Sequence, residues 1–499
     1  MRIIQTGDLT RDTVLTRNDT DWTYNGLDCC VTLEILYEIE KQLDETTAKT
    51  YAFSRALQAP VMEMSLRGLR VDSAQRDKAL SQLLQDIQKL SANLDLIIEE
   101  GIGVKVNWRS PTQLKSLFYD VMGLPVVRKR NAQGRMVPTA NREAIERLSQ
   151  YYWAEPLCNH LLALRDADKK RQFLQTGVDP DGRMRTLYNI AGTNTGRLSA
   201  SESIFGTGTN LMNVGRDIRE IFVADPGMKF CNLDLEQADA RNVGARCWNL
   251  FVESHGEAFA GSYLDACESG DLHTTVCRMA WTNLEWPEER EKWRAVADQI
   301  AYRNDSYRDL AKKLGHGTNF YGQPATMAKH TKVQKKLIQE FQHKYFTAFP
   351  CISSWHEHVK QTLREFGFIE TLLGRRRYFH GRVTEDTTLR EAIAYEPQSL
   401  TADEIDLGIL RLWREHRVQL LLQVHDSILF QYPEEEEDTI VPWAIEKLRT
   451  IIQLKNGREF CVPVEAQVGW NYGKKTEANP DGLAKWKGGD DRQRKRKVR

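Results

Sequence analysis

The chain has 499 residues, room for about three domains and a large core. Lys plus Arg and Asp plus Glu both number 69, so net charge neither requires nor excludes a nucleic-acid partner. Nine cysteines form no CxxC pair or Cys/His cluster of zinc spacing, which argues against a disulfide framework or zinc module. The start, MRIIQTGDLTRD, has no apolar leader, and no stretch approaches the roughly 20 apolar residues of a membrane span. The expectation is a soluble cytoplasmic protein with no membrane partner.

In chain order, Thr32–Glu38 has a helical pattern. Asp77–Asp95 is charged, with leucines at helical spacing, and predicts one long exposed helix. Ser110 and Pro111 are a cap and first-turn proline for another helix. Asp179-Pro180-Asp181-Gly182 reads as a turn closing a mostly helical stretch. Beyond it short apolar strands mix with helices, the pattern of an α+β fold. His356-Glu357-His358 is read as part of a surface helix and assigned no metal. The Lys/Arg run from Arg492 to Arg499 reads as a solvated tail.

Three constellations carry chemistry. Lys229–Asp234 reads as an apolar strand ending in a carboxylate, with the Leu235 carbonyl beside it, and a helix follows. These are hard oxygen ligands of the kind Mg²⁺ accepts. Leu420–Phe430 reads as a hairpin with His425-Asp426-Ser427 at its tip. Asp234 and Asp426, 192 positions apart, meet only if their strands lie side by side. Singly, each aspartate reads as a cap or a surface acid before it reads as a ligand; the joint pattern reverses that, as the pair two-metal phosphoryl transfer needs. In the third, Arg308, Lys312, His316 and Phe320 recur every fourth residue, on one helical face. Two cations one turn apart suit a triphosphate, and a ring beyond them suits base stacking; a solvated basic face is the plain alternative.

These blocks resemble the palm and fingers motifs of family A DNA polymerases, the bacterial DNA polymerase I type. Further matches are Gly68-Leu69-Arg70-Val71-Asp72, Ser110-Pro111-Thr112-Gln113-Leu114, Thr195-Gly196-Arg197-Leu198-Ser199, Asp271-Leu272-His273, Gly374-Arg375-Arg376-Arg377 and the Gln398–Asp403 spacing, in the family's order. The resemblance implies a right-hand fold with an antiparallel-sheet palm, a helical thumb and helical fingers. Its boundaries would be an exonuclease-like remnant at 1–45, an entry segment at 46–75, the thumb at 76–178, palm at 179–270 and 391–480, fingers at 271–390 and a tail at 481–499. It implies a template-directed polymerase adding dNTPs to a primer 3′-OH on primer–template DNA, with two Mg²⁺ held by Asp234, Leu235 and Asp426. Lys312 would be catalytic. Arg308, Lys312, His273, Gln237, Asp239, His316 and Phe320 would meet the nucleotide, and Arg197, Gln398, His425 and Arg376 the DNA.

Departures from the family pattern are specific. The chain has Asp234-Leu235-Glu236-Gln237-Ala238-Asp239-Ala240-Arg241 where the family has DYSQIELR, so Asp239 replaces the Glu that blocks a ribose 2′-OH. Ser427 stands where the family has Glu, and His316 where it has Phe or Tyr. Counting back from Tyr321-Gly322 would select Lys313 and Asp309, but an acid facing a triphosphate is repulsive, so the Arg308/Lys312 register is preferred with one extra residue before Gly322. Tyr24 and Asp28 resemble the last motif of the family's proofreading domain, read here as a structural remnant; a separate exonuclease or processivity subunit is a partner this allows. Size and motif drift suggest a phage-like replicase, acting in a bacterial host's cytoplasm. A single-subunit RNA polymerase and a non-catalytic primer–template-binding subunit are the alternatives.

Overall fold

A computed structural model describes residues 17–488, apart from 204, 205, 303, 304 and 384. The basic run at 492–499 lies outside the described residues. The first helix, α1 (Arg17–Glu40), contains the expected Thr32–Glu38 pattern and leaves Tyr24 and Asp28 exposed. Helix α2 (Ser73–Ile102) is longer than the sequence pattern predicts, because Asp72 caps its start and Gly103 ends it in the left-handed region, φ 79°. It is not simply exposed. Ile87, Leu94 and Ile98 line one stripe and are buried against α3 (Glu155–Leu174), in a core with Phe118, Leu148 and Leu161. Ser110 accepts a hydrogen bond from the Gln113 amide at 3.4 Å with Pro111 in the first turn, as expected. The Asp179–Gly182 turn is present too, closed by the Gly182 amide on the Asp179 carbonyl at 2.9 Å.

The second core surrounds a five-stranded antiparallel sheet. Its strands are β1 (Met228–Leu235), β2 (Gln419–Val424), β3 (Ser427–Pro433), β4 (Val464–Gly469) and β5 (Ala484–Lys485), in spatial order β2-β3-β1-β4-β5. The near-continuous apolar runs of β2 and β3 are buried, as strands covered on both faces require. Helices α4 (Ala238–His255), α5 (Leu272–Ala280), α6 (Tyr307–Asn319), α7 (Pro350–Phe366) and α8 (Asp386–Arg414) build the rest of the centre. Helix α8 packs on α4 beside the sheet, whereas α5, α6 and α7 share the third core, with Val276, Leu314 and Trp355. Gly244 of α4 permits close helix packing, since a Cβ there would lie 2.8 Å from the Leu264 Cα.

One reading needs correction here. The helix carrying His356-Glu357-His358 is not a surface helix throughout: His356 is buried, its Nε2 hydrogen-bonded to the Asn319 carbonyl at 2.8 Å. Its i+4 spacing from Ile352 and its neighbour Trp355 place it on the core side of α7. No helix among the described residues is long and apolar enough to cross a membrane.

Candidate active site at the end of the central sheet

The register of three strands brings the two predicted carboxylates together. Asp234, next to last in β1, lies opposite Ser427 of β3 and Glu465 of β4. A two-residue turn, His425-Asp426, joins β2 to β3, with His425 in the left-handed region at φ 56°. The Leu235 amide donates to the Asp426 carbonyl at 3.0 Å, which latches the turn to the end of β1. The hairpin is as expected, except that Ser427 belongs to the strand, with its hydroxyl donated to the Val424 carbonyl at 2.9 Å.

This end of the sheet is short of positive charge. Burial, then Asp426, Glu465 and Glu236, push the Asp234 carboxyl up to about 7. Burial also raises Asp426, with Asp239 adding to it. Glu465 was not singled out in the sequence; the alternation Val464-Glu465-Ala466-Gln467-Val468 is its only signal. Although burial opposes ionisation, Lys485 at 2.7 Å and Gln467 at 3.0 Å hold Glu465 below the usual carboxylate range. No group of three or more His, Cys, Asp or Glu among the described residues is arranged to hold a metal ion. Asp234 and Asp426 nevertheless offer two oxygen ligands whose crowding a divalent cation would relieve, so the donor set fits a hard metal.

The cationic face comes from α6. Ser306 and Asp309 form a capping box at its start, and Lys313 pairs with Asp305 at 2.6 Å. The residues of the other register are thus engaged in holding the helix end. Phe320 is the C-cap rather than a helical residue. Just beyond it Tyr321 turns left-handed, φ 59°, and the Gly322 amide reaches back to the Gly317 carbonyl at 2.7 Å. This wide turn leaves Arg308, Lys312 and His316 in step on one face.

Arg308 grips Asp271 with two hydrogen bonds, 2.7 and 3.0 Å. Asp271 in turn caps α5, the helix that carries His273. Burial opposes its ionisation, yet Arg308 and Thr274 bring it down to about 2. His273 is pushed down to about 4, by burial first and then by the Arg308 charge. It is therefore neutral at pH 7 and offers a ring N–H rather than a positive charge. Lys312 is exposed and has no ion pair among the described residues. Burial lowers the His316 pKa, and the ring meets Phe320 edge-on at 4.6 Å.

A small cleft joins the two halves: Asp239, His273, His316 and Phe320 all line it. Asp239 is held by Arg197 at 3.2 Å and by the Thr401 hydroxyl at 2.9 Å. Gln237 is the left-handed N-cap of α4, φ 56°, with its buried Oε1 unpaired. Gln398 is half-buried on α8, and His425 is exposed on the turn. Arg376 is engaged elsewhere: it bonds Glu370 and Asp44, the latter at 3.0 Å, and lies over the Phe368 ring. Its neighbour Arg375 is the member of the arginine run that reaches this centre, bonding Asp403 at 2.8 Å. Arg375 also packs on Gly196 of the Arg197 loop, where φ is 79° and a Cβ would lie 2.9 Å from the guanidinium carbon.

The chain was compared with known proteins. The model for DNA polymerase family A matches residues 77–475. The thermostable DNA polymerase I of Thermus aquaticus is 27% identical over 438 residues, covering 83% of this chain and 47% of that protein. DNA polymerase I of Deinococcus radiodurans is 26% identical over 476 residues, 90% of this chain and 45% of its own. The chain thus spans about half the length of these relatives. Among solved structures, the POL domain of Pol1 from M. smegmatis, in complex with DNA primer-template and dNTP, superposes with a TM-score of 0.67 at 24% identity. That match covers 83% of this chain and 69% of the other. The α+β architecture is therefore that of a family A polymerase domain, and with the family model matching most of its length the chain belongs to DNA polymerase family A.

Proposed function

We propose that the protein is a template-directed DNA polymerase, joining dNTPs to a primer 3′-OH with release of pyrophosphate. The observation that carries this reading is the meeting of Asp234 and Asp426 at the end of β1 and β3, next to a cationic helix face. Relatives named as DNA polymerases support it, as does a structural neighbour that holds primer-template and dNTP. The palm would be 179–270 with 391–480, the fingers 271–390 and the thumb 76–178.

In this reading Asp234, Asp426 and the Leu235 carbonyl hold two Mg²⁺. When bound, these ions would supply Lewis-acid activation of the primer hydroxyl and neutralise charge on the leaving group. Lys312, exposed and without an ion pair among the described residues, meets the triphosphate. Arg308 is pre-oriented by Asp271 and presents its remaining N–H groups to the phosphates, with the neutral His273 donating beside it. His316 and Phe320 border the nucleotide. Asp239 faces its sugar. Gln237, Arg197, Gln398 and His425 meet the nucleotide or the primer–template duplex.

The test is extension of a labelled primer on a DNA template with Mg²⁺, for wild type and Asp234→Ala, with dNTPs and with rNTPs. Extension is expected with dNTPs and falls about 10³-fold or more in the variant, the loss of several kcal/mol of charge stabilisation. Preference for rNTPs would move the reading to RNA synthesis. Duplex binding without extension would leave a non-catalytic subunit.

A further inference from the structure

Behind the cleft lies a chain of buried polar groups that the assigned roles do not use. Asn242 of α4 and Thr401 and Glu404 of α8 are each 1% exposed. Burying three polar side chains in one place is unfavourable unless they bond to one another. The Asn242 amide donates one hydrogen to Glu404 Oε2 at 3.0 Å and the other to Thr401 Oγ1 at 3.0 Å. Both of its donors are then spent. Thr401 Oγ1, having accepted from Asn242, must turn its own hydrogen elsewhere. Two acceptors are in reach, the Pro397 carbonyl and Asp239 Oδ1, each at 2.9 Å. Inside a helix the Pro397 carbonyl has a backbone amide four residues on, and an ionised carboxylate is the stronger acceptor. The hydroxyl hydrogen therefore belongs to Asp239.

Asp239 is thus clamped from two sides, by Thr401 from within the core and by Arg197 at 3.2 Å from the loop. A short carboxylate held this way cannot swing aside, and its Oδ1 is already occupied. Glu404 completes the chain: burial, with Asp403 and Asp239 nearby, pushes it up to about 8. At neutral pH it therefore accepts from Asn242 without placing a second charge behind Asp239.

We propose that Thr401, backed by Asn242 and Glu404, is a positioning residue for sugar selection, pinning Asp239 across the cleft so that a ribose 2′-hydroxyl is turned away. This rests on the reading above in which Asp239 faces the incoming sugar. Thr401 acts only through Asp239, so its removal changes the ratio of rNTP to dNTP use more than dNTP use itself.

The experiment is single-nucleotide incorporation by the full chain on primer–template DNA, measuring kcat/KM for a dNTP and the matching rNTP. Asp239→Ala is expected to raise the rNTP/dNTP ratio most. Thr401→Val should raise it roughly tenfold, the loss of one hydrogen bond to a charged group, with dNTP kcat/KM changing about threefold at most. Thr401→Ser, which keeps the hydroxyl, should restore the wild-type ratio, and Thr401→Val should add nothing to Asp239→Ala. If Asp239→Ala leaves the ratio unchanged, the sugar-facing reading itself fails. If Asp239→Ala relaxes selection but Thr401→Val slows both substrates equally, the positioning role is overturned and the sugar-facing reading stands. Should Thr401→Val not fold, Thr401→Cys, a weak donor of similar size, decides between the same outcomes.

Discussion

Carboxylates in two neighbouring regions of this protein behave in opposite ways, Glu465 with its Lys485 partner being the exception at the sheet. Around the sheet and α8, burial pushes Asp234, Asp426, Glu396, Asp403, Glu404 and Asp406 upward. Around α6, Asp271 and Asp309 are pushed down, Asp309 by its bonds to Ser306 and Asp271 by Arg308 and Thr274 against the pull of burial. The difference is in who supplies the partners. Asp271 has Arg308 and Arg294, while the pair at the strand ends faces further carboxylates. One region satisfies its own acids and, among the described residues, leaves Lys312 without an ion pair; the other carries a deficit of cations at the point where β1 and the turn meet. A metal-bound triphosphate is matched to both, bringing cations to the strand ends and anions to the α6 face.

The sharpest way to break this comparison is to remove one acid from the deficit region. Asp426→Ala should cut dNTP incorporation about 10³-fold or more while leaving the thermal midpoint unchanged or higher, since a half-buried charge facing another acid goes with it. A clear fall in thermal midpoint would mean that the turn, not the charge, is what Asp426 provides. On the other side, Arg308→Ala should lower kcat/KM about 10²-fold and also cost about 1–2 kcal/mol, because Asp271 loses its main partner; the figure allows for solvent around a pair of 21% and 29% side-chain exposure. Lys312→Ala should lower kcat/KM comparably but change stability by less than about 0.5 kcal/mol, having no pair to break. Equal stability losses in the two variants, measured by urea unfolding, would erase the distinction between a cation already used in the fold and one held free.

The two regions were also unequally legible in the sequence. Asp234 and Asp426 could each be placed at a strand end or a tight turn from local pattern, whereas their pairing followed from the family resemblance, and the register of β1 on β3 is what brings them together. The α6 face was legible from i+4 spacing, but the left-handed Tyr321 just beyond it was not. What escaped was everything decided by long-range burial. Asn242 reads as an ordinary polar residue of an amphipathic helix, and Glu404, after Thr-Ala-Asp, as a surface acid; only the packing of α4 on α8 makes them a network. The ion pair of Arg376 with Asp44, 332 residues away, has no signal in the sequence either. Long-range ion pairs leave no periodic trace.

The smallest expected effect tests whether the acids behind the sheet carry the burden assigned to them. Glu404 has an ordinary value of 4.5 when the chain is unfolded and is raised to about 8 by burial in the folded protein. Between these values the folded state holds a proton that the unfolded state has released. The contribution of Glu404 to stability is then fully present below about pH 4.5 and is lost as pH rises through about 8. Glu404→Gln keeps an acceptor for Asn242 and cannot ionise. Its stability relative to wild type should be near zero at pH 5 and rise to roughly 1–3 kcal/mol in its favour by pH 9, read from urea midpoints across that range. A flat difference would mean that water or a local shift solvates the Glu404 carboxylate, and the contrast between the two regions would then narrow to Asp234 and Asp426 alone.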